Sequence, residues 1–190
     1  AIEDGTPVFP NEPLITIKAP IIEAQIVETA ILSMINGAME HATSARRIIE
    51  STNGKVGVIE FGARRADGSE AAIDSSIYGI MAGCIGTSNI IAADMLNIKA
   101  MGTMAHSFIE SFPNEYEAFL AYAKAYPDNC ILLVDTVDTL KSGVINAIRV
   151  FRYMKENNMP LDHIGIRIDS GDLAYLSKEA RKMLDAAGFP

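Results

Sequence analysis

The sequence predicts an α/β fold with parallel strands, on three observations. Short, nearly continuous apolar runs alternate with longer stretches in which apolar residues recur every three or four positions. The short runs are bounded by Gly, Asn or Asp, as strands are, and residues 1–22, rich in Pro and β-formers, look unlike the rest. Strands apolar along their whole length imply parallel pairing under a cover of helices. About four strand–helix units over residues 23–190 fit either half of a closed eight-stranded barrel or a small open doubly wound sheet.

Residues 1–22, with PVFP, NEP and LITIKAPII, read as short strands separated by turns. From Glu23 the pattern becomes helical: Ile26, Ala30 and Met34, with Ile31, Ile35 and Met39, form a broad apolar stripe that runs to about Ile49, and Gly54 ends it. Strands are predicted at 56–60 (VGVIE), 98–101 (IKAM), 130–135 (CILLVD) and 164–168 (IGIRI). Helices are predicted at 71–82, 89–96, 114–126, 139–157 and 173–187, with Pro127 and Pro160 falling where a helix has already ended.

Composition narrows the function. The 190 residues are 49% hydrophobic and 21% charged, the balance of a globular chain with a real core. Sixteen Lys+Arg against twenty-four Asp+Glu leave a net charge of −8, which argues against a general nucleic-acid or anionic-membrane surface. An anionic ligand therefore requires cations concentrated at one site. Cys84 and Cys130 are far apart in apolar surroundings and read as buried free thiols of a reducing compartment. No window of eighteen or more apolar residues is present, and AIEDGTPVFPNEP is neither a signal h-region nor a basic transit peptide, so the expected location is cytoplasmic. Both ends read as interior points of a longer protein.

In parallel α/β folds the working face lies at the carboxyl ends of the strands. Here the predicted strands run into FGARR (61–65), GTMAHS (102–107), DTVDT (135–139) and RIDSGD (167–172). Arginines, a histidine and carboxylates gathered at one mouth are the equipment for a phosphorylated substrate, a divalent metal and a group- or proton-transfer step. Each cluster also has a plain structural explanation. His106 alone fits a satisfied loop or core histidine, Asp138 and Asp172 fit helix caps, and the pairs Arg64-Arg65 and Arg46-Arg47 fit solvated surface. Gly86-Thr87-Ser88-Asn89 fits an N-cap, or a weak anion site on helix amides. Asp135 and Asp169, at strand ends, are predicted to point into the mouth. Dinucleotide-binding Gly-x-Gly-x-x-Gly, P-loop, Cys-x-x-Cys, His-Glu-x-x-His and Gly-x-Ser-x-Gly motifs are all absent.

Taken in order, EFGARRA, GCIGTSN, GTMAHSF, LLVDTVDT and GIRIDSGDL resemble the successive strand-end motifs of the nicotinate phosphoribosyltransferase family, over about residues 60–172. The resemblance implies an irregular α/β barrel joined to a smaller, mostly β domain, with residues 1–22 belonging to the smaller domain and 23–190 forming part of the barrel. It implies condensation of nicotinate with 5-phosphoribosyl 1-diphosphate to nicotinate mononucleotide and diphosphate, in NAD salvage. ATP hydrolysis coupled through a phosphohistidine, Mg²⁺, and a homodimer or higher homo-oligomer with shared sites are also implied. Carried over by residue, Phe61 stacks on the pyridine ring and Arg64 holds phosphoribosyl diphosphate oxygens. Arg167 lies near base and diphosphate, Asp169 holds the ribose hydroxyls, His106 is phosphorylated, and Asp135 orients its imidazole or a Mg²⁺-bound water. Ser88 stands where nicotinamide-using relatives carry an aspartate, and a neutral hydroxyl there suits an anionic nicotinate. Complete members are much longer, so the chain corresponds to a central segment. The alternatives are the related nicotinamide or quinolinate phosphoribosyltransferase, and a non-catalytic module that binds a phosphorylated metabolite.

Overall fold

The computed structural model describes residues 1–189. The chain divides into two compact units, one ending at Gly102 and the next beginning at Thr103.

In the first unit, residues 1–20 form turns and irregular chain where short strands were expected. Pro7, Pro10 and Pro13 each remove a ladder donor, and one backbone bond, Ile2 N–H to Leu14 O at 3.0 Å, closes the segment without building a ladder. Helix α1 (Ile21–Ser51) starts after Pro20, whose φ of −54° and ψ of 144° are extended. It unwinds where Asn53 and Gly54 both adopt positive φ. None of its residues is buried, although α1 packs against α2 (Ser69–Met81). By length and composition alone α1 is apolar enough to cross a membrane.

Strand β1 (Ile59–Glu60) pairs in parallel with β2 (Gly86–Thr87), Ile59 opposite Gly86 and Glu60 opposite Thr87. Two flanking bonds extend the pair, Ile85 N–H to Val58 O at 2.8 Å and Ser88 N–H to Glu60 O at 3.0 Å. The strand expected at 98–101 does not form. That stretch follows α3 (Ile90–Met95) as irregular chain and touches β2 through one backbone bond, Met101 N–H to Thr87 O at 2.9 Å. A single bond is not a ladder, and the GT dipeptide just before α3 takes the strand position instead.

The second unit runs α4 (His106–Glu110), α5 (Glu115–Ala125), β3 (Cys130–Leu133), α6 (Val144–Glu156), β4 (Ile164–Arg167) and α7 (Leu173–Ala186). Strands β3 and β4 are parallel, in register from Cys130 opposite Ile164 to Leu133 opposite Arg167. They lie in a core whose largest fully buried side chains are Phe119, Phe151, Leu132, Leu133 and Met154. Helix α6 lays Val144, Ala147, Ile148, Phe151 and Met154 into that core, the spacing of one helix face. Phe189 closes it edge-on against Phe151, with ring centroids 5.7 Å apart. Helices between parallel strand pairs make the chain an α/β protein.

The helix expected from Thr139 begins as a π-helical turn, Thr139–Gly143, before α6. Gly143 sits so close to the end of β3 that a Cβ there would collide with the Val134 carbonyl, which is backbone and has nowhere to go. Both cysteines are free and buried, and burial pushes the Cys130 thiol up to about 12.

Gly143→Ala is therefore expected to destabilise the chain by at least about 1–3 kcal/mol. A urea unfolding midpoint equal to that of the unsubstituted protein would contradict the close approach.

Candidate active site

Each unit gathers its own share of the residues singled out by sequence. In the first, β1 delivers Phe61, partly exposed, and then a 3-10 turn, Ala63–Arg65, closed by Arg65 N–H to Gly62 O at 2.8 Å. Arg64 is exposed on that turn, and Ser88 follows β2 half-buried. The cap of α3 is Asn89, whose side chain accepts from Ala92 N–H. The hydroxyl of Thr87 turns inward, accepting from Asn89 N–H at 3.0 Å and donating to Glu60 Oε2 at 2.8 Å.

In the second unit, polar side chains link across the carboxyl ends of β3 and β4. His106 opens α4, its Nδ1 lies 3.1 Å from Thr136 Oγ1, and its Nε2 lies 3.6 Å from Asp169 Oδ2. The other Asp169 oxygen accepts from Arg167 Nη2 at 2.9 Å, and Arg167 Nη1 donates to Thr103 Oγ1 at 2.7 Å. The side chains of His106, Asp169 and Arg167 keep 40%, 32% and 26% of their surface open, so a ligand has access to all three. Asp135 Oδ2 accepts from Asp169 N–H at 3.1 Å and from Ser170 Oγ–H at 2.5 Å. An open cavity of about 400 Å³ adjoins these groups, walled by Asp135, Asp138, Lys141, Ser170 and Gly171 among others.

The geometry amends the expected roles. Asp135 makes no hydrogen bond to the imidazole: Thr136 Oγ1 lies beside Nδ1, while Asp135 fastens the 169–170 turn. Asp138 and Asp172 are the helix caps that their sequence positions offer, accepting from Leu140 and Lys141 N–H and from Tyr175 N–H respectively. Thr136, Thr103 and Glu60 lay inside the quoted motifs without being singled out. Ser76, in mid-helix and bound to Glu60, carried no local signal at all.

The electrostatics follow from these contacts. The hydrogen bond from Arg167 is the main reason the Asp169 carboxyl is held below its ordinary value of 3.8; desolvation opposes it, and the charge of Arg167 and the neighbouring His106 add to the lowering. Among the described residues no group of three or more His, Cys, Asp or Glu is placed to hold a metal. Mg²⁺ in phosphate sites commonly needs only one or two protein carboxylates beside substrate oxygens. Asp135 fits that part, because its Oδ1 is buried with no hydrogen-bond partner.

The family model for nicotinate phosphoribosyltransferase (NAPRTase) matches residues 56–186. The chain belongs to this family. It is 47% identical to nicotinate phosphoribosyltransferase of Bacillus subtilis (strain 168) over 189 residues, which is 100% of this chain and 38% of the relative. It is 45% identical to nicotinate phosphoribosyltransferase pncB2 of Mycobacterium tuberculosis, again across 100% of this chain and 40% of the relative. The crystal structure of human nicotinic acid phosphoribosyltransferase is similar at a TM-score of 0.83 and 28% identity, over 97% of this chain and 46% of that one. Nicotinate-nucleotide pyrophosphorylase from Pyrococcus furiosus follows at 0.73 and 26%, over 87% and 42%. The chain thus spans about two fifths of the length of the curated relatives it matches.

A folded-state pKa lowered for Asp169 means that its share of stability is present above pH 3.8 and is lost as the pH falls through the depressed value. An NMR titration of the Asp169 carboxyl should show a midpoint below 3.8 that moves back up in Arg167→Gln. An unmoved midpoint in that variant would disprove the assigned cause.

Proposed function

We propose that the protein of which this chain is a part condenses nicotinate with 5-phosphoribosyl 1-diphosphate, giving nicotinate mononucleotide and diphosphate, with ATP hydrolysis coupled through phosphorylation of His106. The observation that carries this is the connected set Arg167–Asp169–His106, found in a chain of the nicotinate phosphoribosyltransferase family.

The ring nitrogen of nicotinate attacks the anomeric carbon of the ribose while the bond to the diphosphate oxygen breaks. Positive charge builds on the ribose and negative charge on the departing group, so no strong protein nucleophile is needed. Arg64 and Arg167 take up charge on the diphosphate. Asp169, kept anionic by Arg167, accepts hydrogen bonds from the ribose hydroxyls and favours the developing cation. Phe61 stacks on the pyridine ring and fixes its approach, an orientation effect worth up to several kcal/mol. Asp135, through its unpartnered Oδ1, would hold a Mg²⁺ ion, which would supply further neutralisation of phosphate oxygens. When the imidazole proton is on Nδ1, beside Thr136 Oγ1, the Nε2 lone pair of His106 attacks the γ-phosphorus of ATP as the bond to ADP breaks.

Ser88 favours nicotinate over nicotinamide, since a hydroxyl can donate to the carboxylate that an aspartate would repel. The finer architecture belongs to the same proposal: residues 23–190 as part of an irregular barrel, residues 1–22 as part of a smaller β-rich domain. So do a homodimer or higher homo-oligomer with shared sites and a cytoplasmic location, with neither nucleic acid nor membrane as partner. In this reading α1 is a helix of the folded enzyme, packed against α2 as it is here.

With phosphoribosyl diphosphate, Mg²⁺ and ATP, chromatography should reveal mononucleotide from nicotinate and none from nicotinamide. Product from nicotinamide alone would overturn the substrate assignment. Incubation with γ-labelled ATP should give acid-labile labelling of the chain that disappears in His106→Ala. A label that survives this change removes His106 from the mechanism.

A further inference from the structure

We infer that Glu60 is a positioning residue, whose carboxylate couples the turn carrying Phe61 and Arg64 to the turn carrying Ser88 and so sets the shape of the nicotinate pocket. The inference deepens the nicotinate reading and rests on it for the pocket's ligand. Its observations are internal to the first unit.

Glu60 is the last residue of β1, and its carboxylate reaches into the unit. Oε2 lies 2.8 Å from Thr87 Oγ1 and 2.8 Å from Ser76 Oγ, two fully buried hydroxyls on β2 and α2. Oε1 accepts from Gly62 N–H, the first amide of the turn that leads to Arg64. The backbone adds Ser88 N–H to Glu60 O at 3.0 Å. One residue thus holds the 61–65 turn, the 86–89 turn and α2 together.

The donors are not equivalent. The Ser76 hydroxyl lies 2.8 Å from both Glu60 Oε2 and Ala72 O, and its single proton serves only one of them at a time. Thr87 is committed, because its oxygen already accepts from Asn89 N–H, which leaves its proton to Glu60. Gly62 N–H is equally committed. The coupling therefore runs Gly62–Glu60–Thr87–Asn89, from one substrate-bearing turn to the other. Room for the carboxylate stem is kept by Gly79, where a Cβ would stand 3.3 Å from Glu60 Cγ. No Lys or Arg pairs with Glu60 among the described residues, so the hydrogen bonds alone keep a part-buried carboxylate satisfied.

Glu60→Gln preserves size while removing one acceptor, which leaves either Gly62 N–H or the Thr87 hydroxyl proton without its partner. Glu60→Asp keeps the charge but shortens the reach by one methylene. In the full-length protein, both should speed amide hydrogen exchange in 61–65 and 86–89 by about tenfold, the worth of one hydrogen bond to a charged acceptor. Exchange in α5, α6 and α7 should stay as it was. Nicotinate KM should rise by about the same factor, and kcat should fall as well, because the loosened turn carries the Phe61 ring that fixes the approach of nicotinate. His106 labelling by ATP should be unaffected.

Unchanged exchange and unchanged nicotinate KM in both variants would overturn the inference. So would faster exchange spread evenly over the first unit, which marks a general stabilising role. If the unsubstituted protein turns over no nicotinate, the functional reading fails together with the pocket assignment, and the coupling of the two turns is then judged by the exchange result alone.

Discussion

The register of β3 against β4 governs the second unit. With Leu133 opposite Arg167, the strand ends bring Asp135 to the amide of Asp169 and the hydroxyl of Ser170. A slip of one residue would turn every side chain to the opposite face and separate these groups. The register is held from beneath by Cys130, Leu132 and Val134, all with no exposed surface, and from the side by Gly143, which lets the π-helical turn pass against the Val134 carbonyl. Apolar packing and one missing Cβ thus decide where a guanidinium, a carboxylate and an imidazole meet.

The two units solve the same problem in the same way. Parallel strands end with backbone amides and carbonyls that the ladder no longer satisfies. In each unit a carboxylate at or just beyond the end of one strand accepts from the end of the next: Glu60 from Thr87, and Asp135 from Asp169 and Ser170. Glu60 faces the fold and is spent on geometry, whereas Asp135 gives one oxygen to the 169–170 turn and keeps the other, Oδ1, without a hydrogen-bond partner. Asp169 is different, because its carboxylate stands between Arg167 and His106 with about a third of its surface open. Carboxylates of different kinds therefore stand at these strand ends, and only their partners tell them apart.

Much of the fold was legible in the chain. The apolar spacing of α1, α2, α5, α6 and α7 located each helix closely, because a helix face is a local periodic property. Strands fared less evenly. The apolar runs CILLVD and IGIRI are paired strands, whereas IKAM is not, and GT is. Whether a short run becomes a strand depends on a partner brought from elsewhere, and two-residue strands leave no periodic trace. Residues 1–20 show the same limit, since β-forming composition does not supply a ladder where prolines remove the donors.

Residue types at the strand ends, read with the order of five motifs, determined the family, because those motifs are contiguous and each is written out in full along the chain. They also singled out His106, Asp169 and Asp135 as candidate catalytic residues and Phe61, Arg64, Ser88 and Arg167 as candidate substrate contacts. The caps at Asp138 and Asp172 are local and legible in the chain, but tertiary structure alone decided the rest: Thr136, and not Asp135, lies beside His106 Nδ1, and Glu60 reaches sixteen residues ahead to Ser76 and twenty-seven to Thr87. The reason is physical. A carboxylate's role is fixed by which donors surround it, and donors that come from other strands and helices become its neighbours only when the chain has packed.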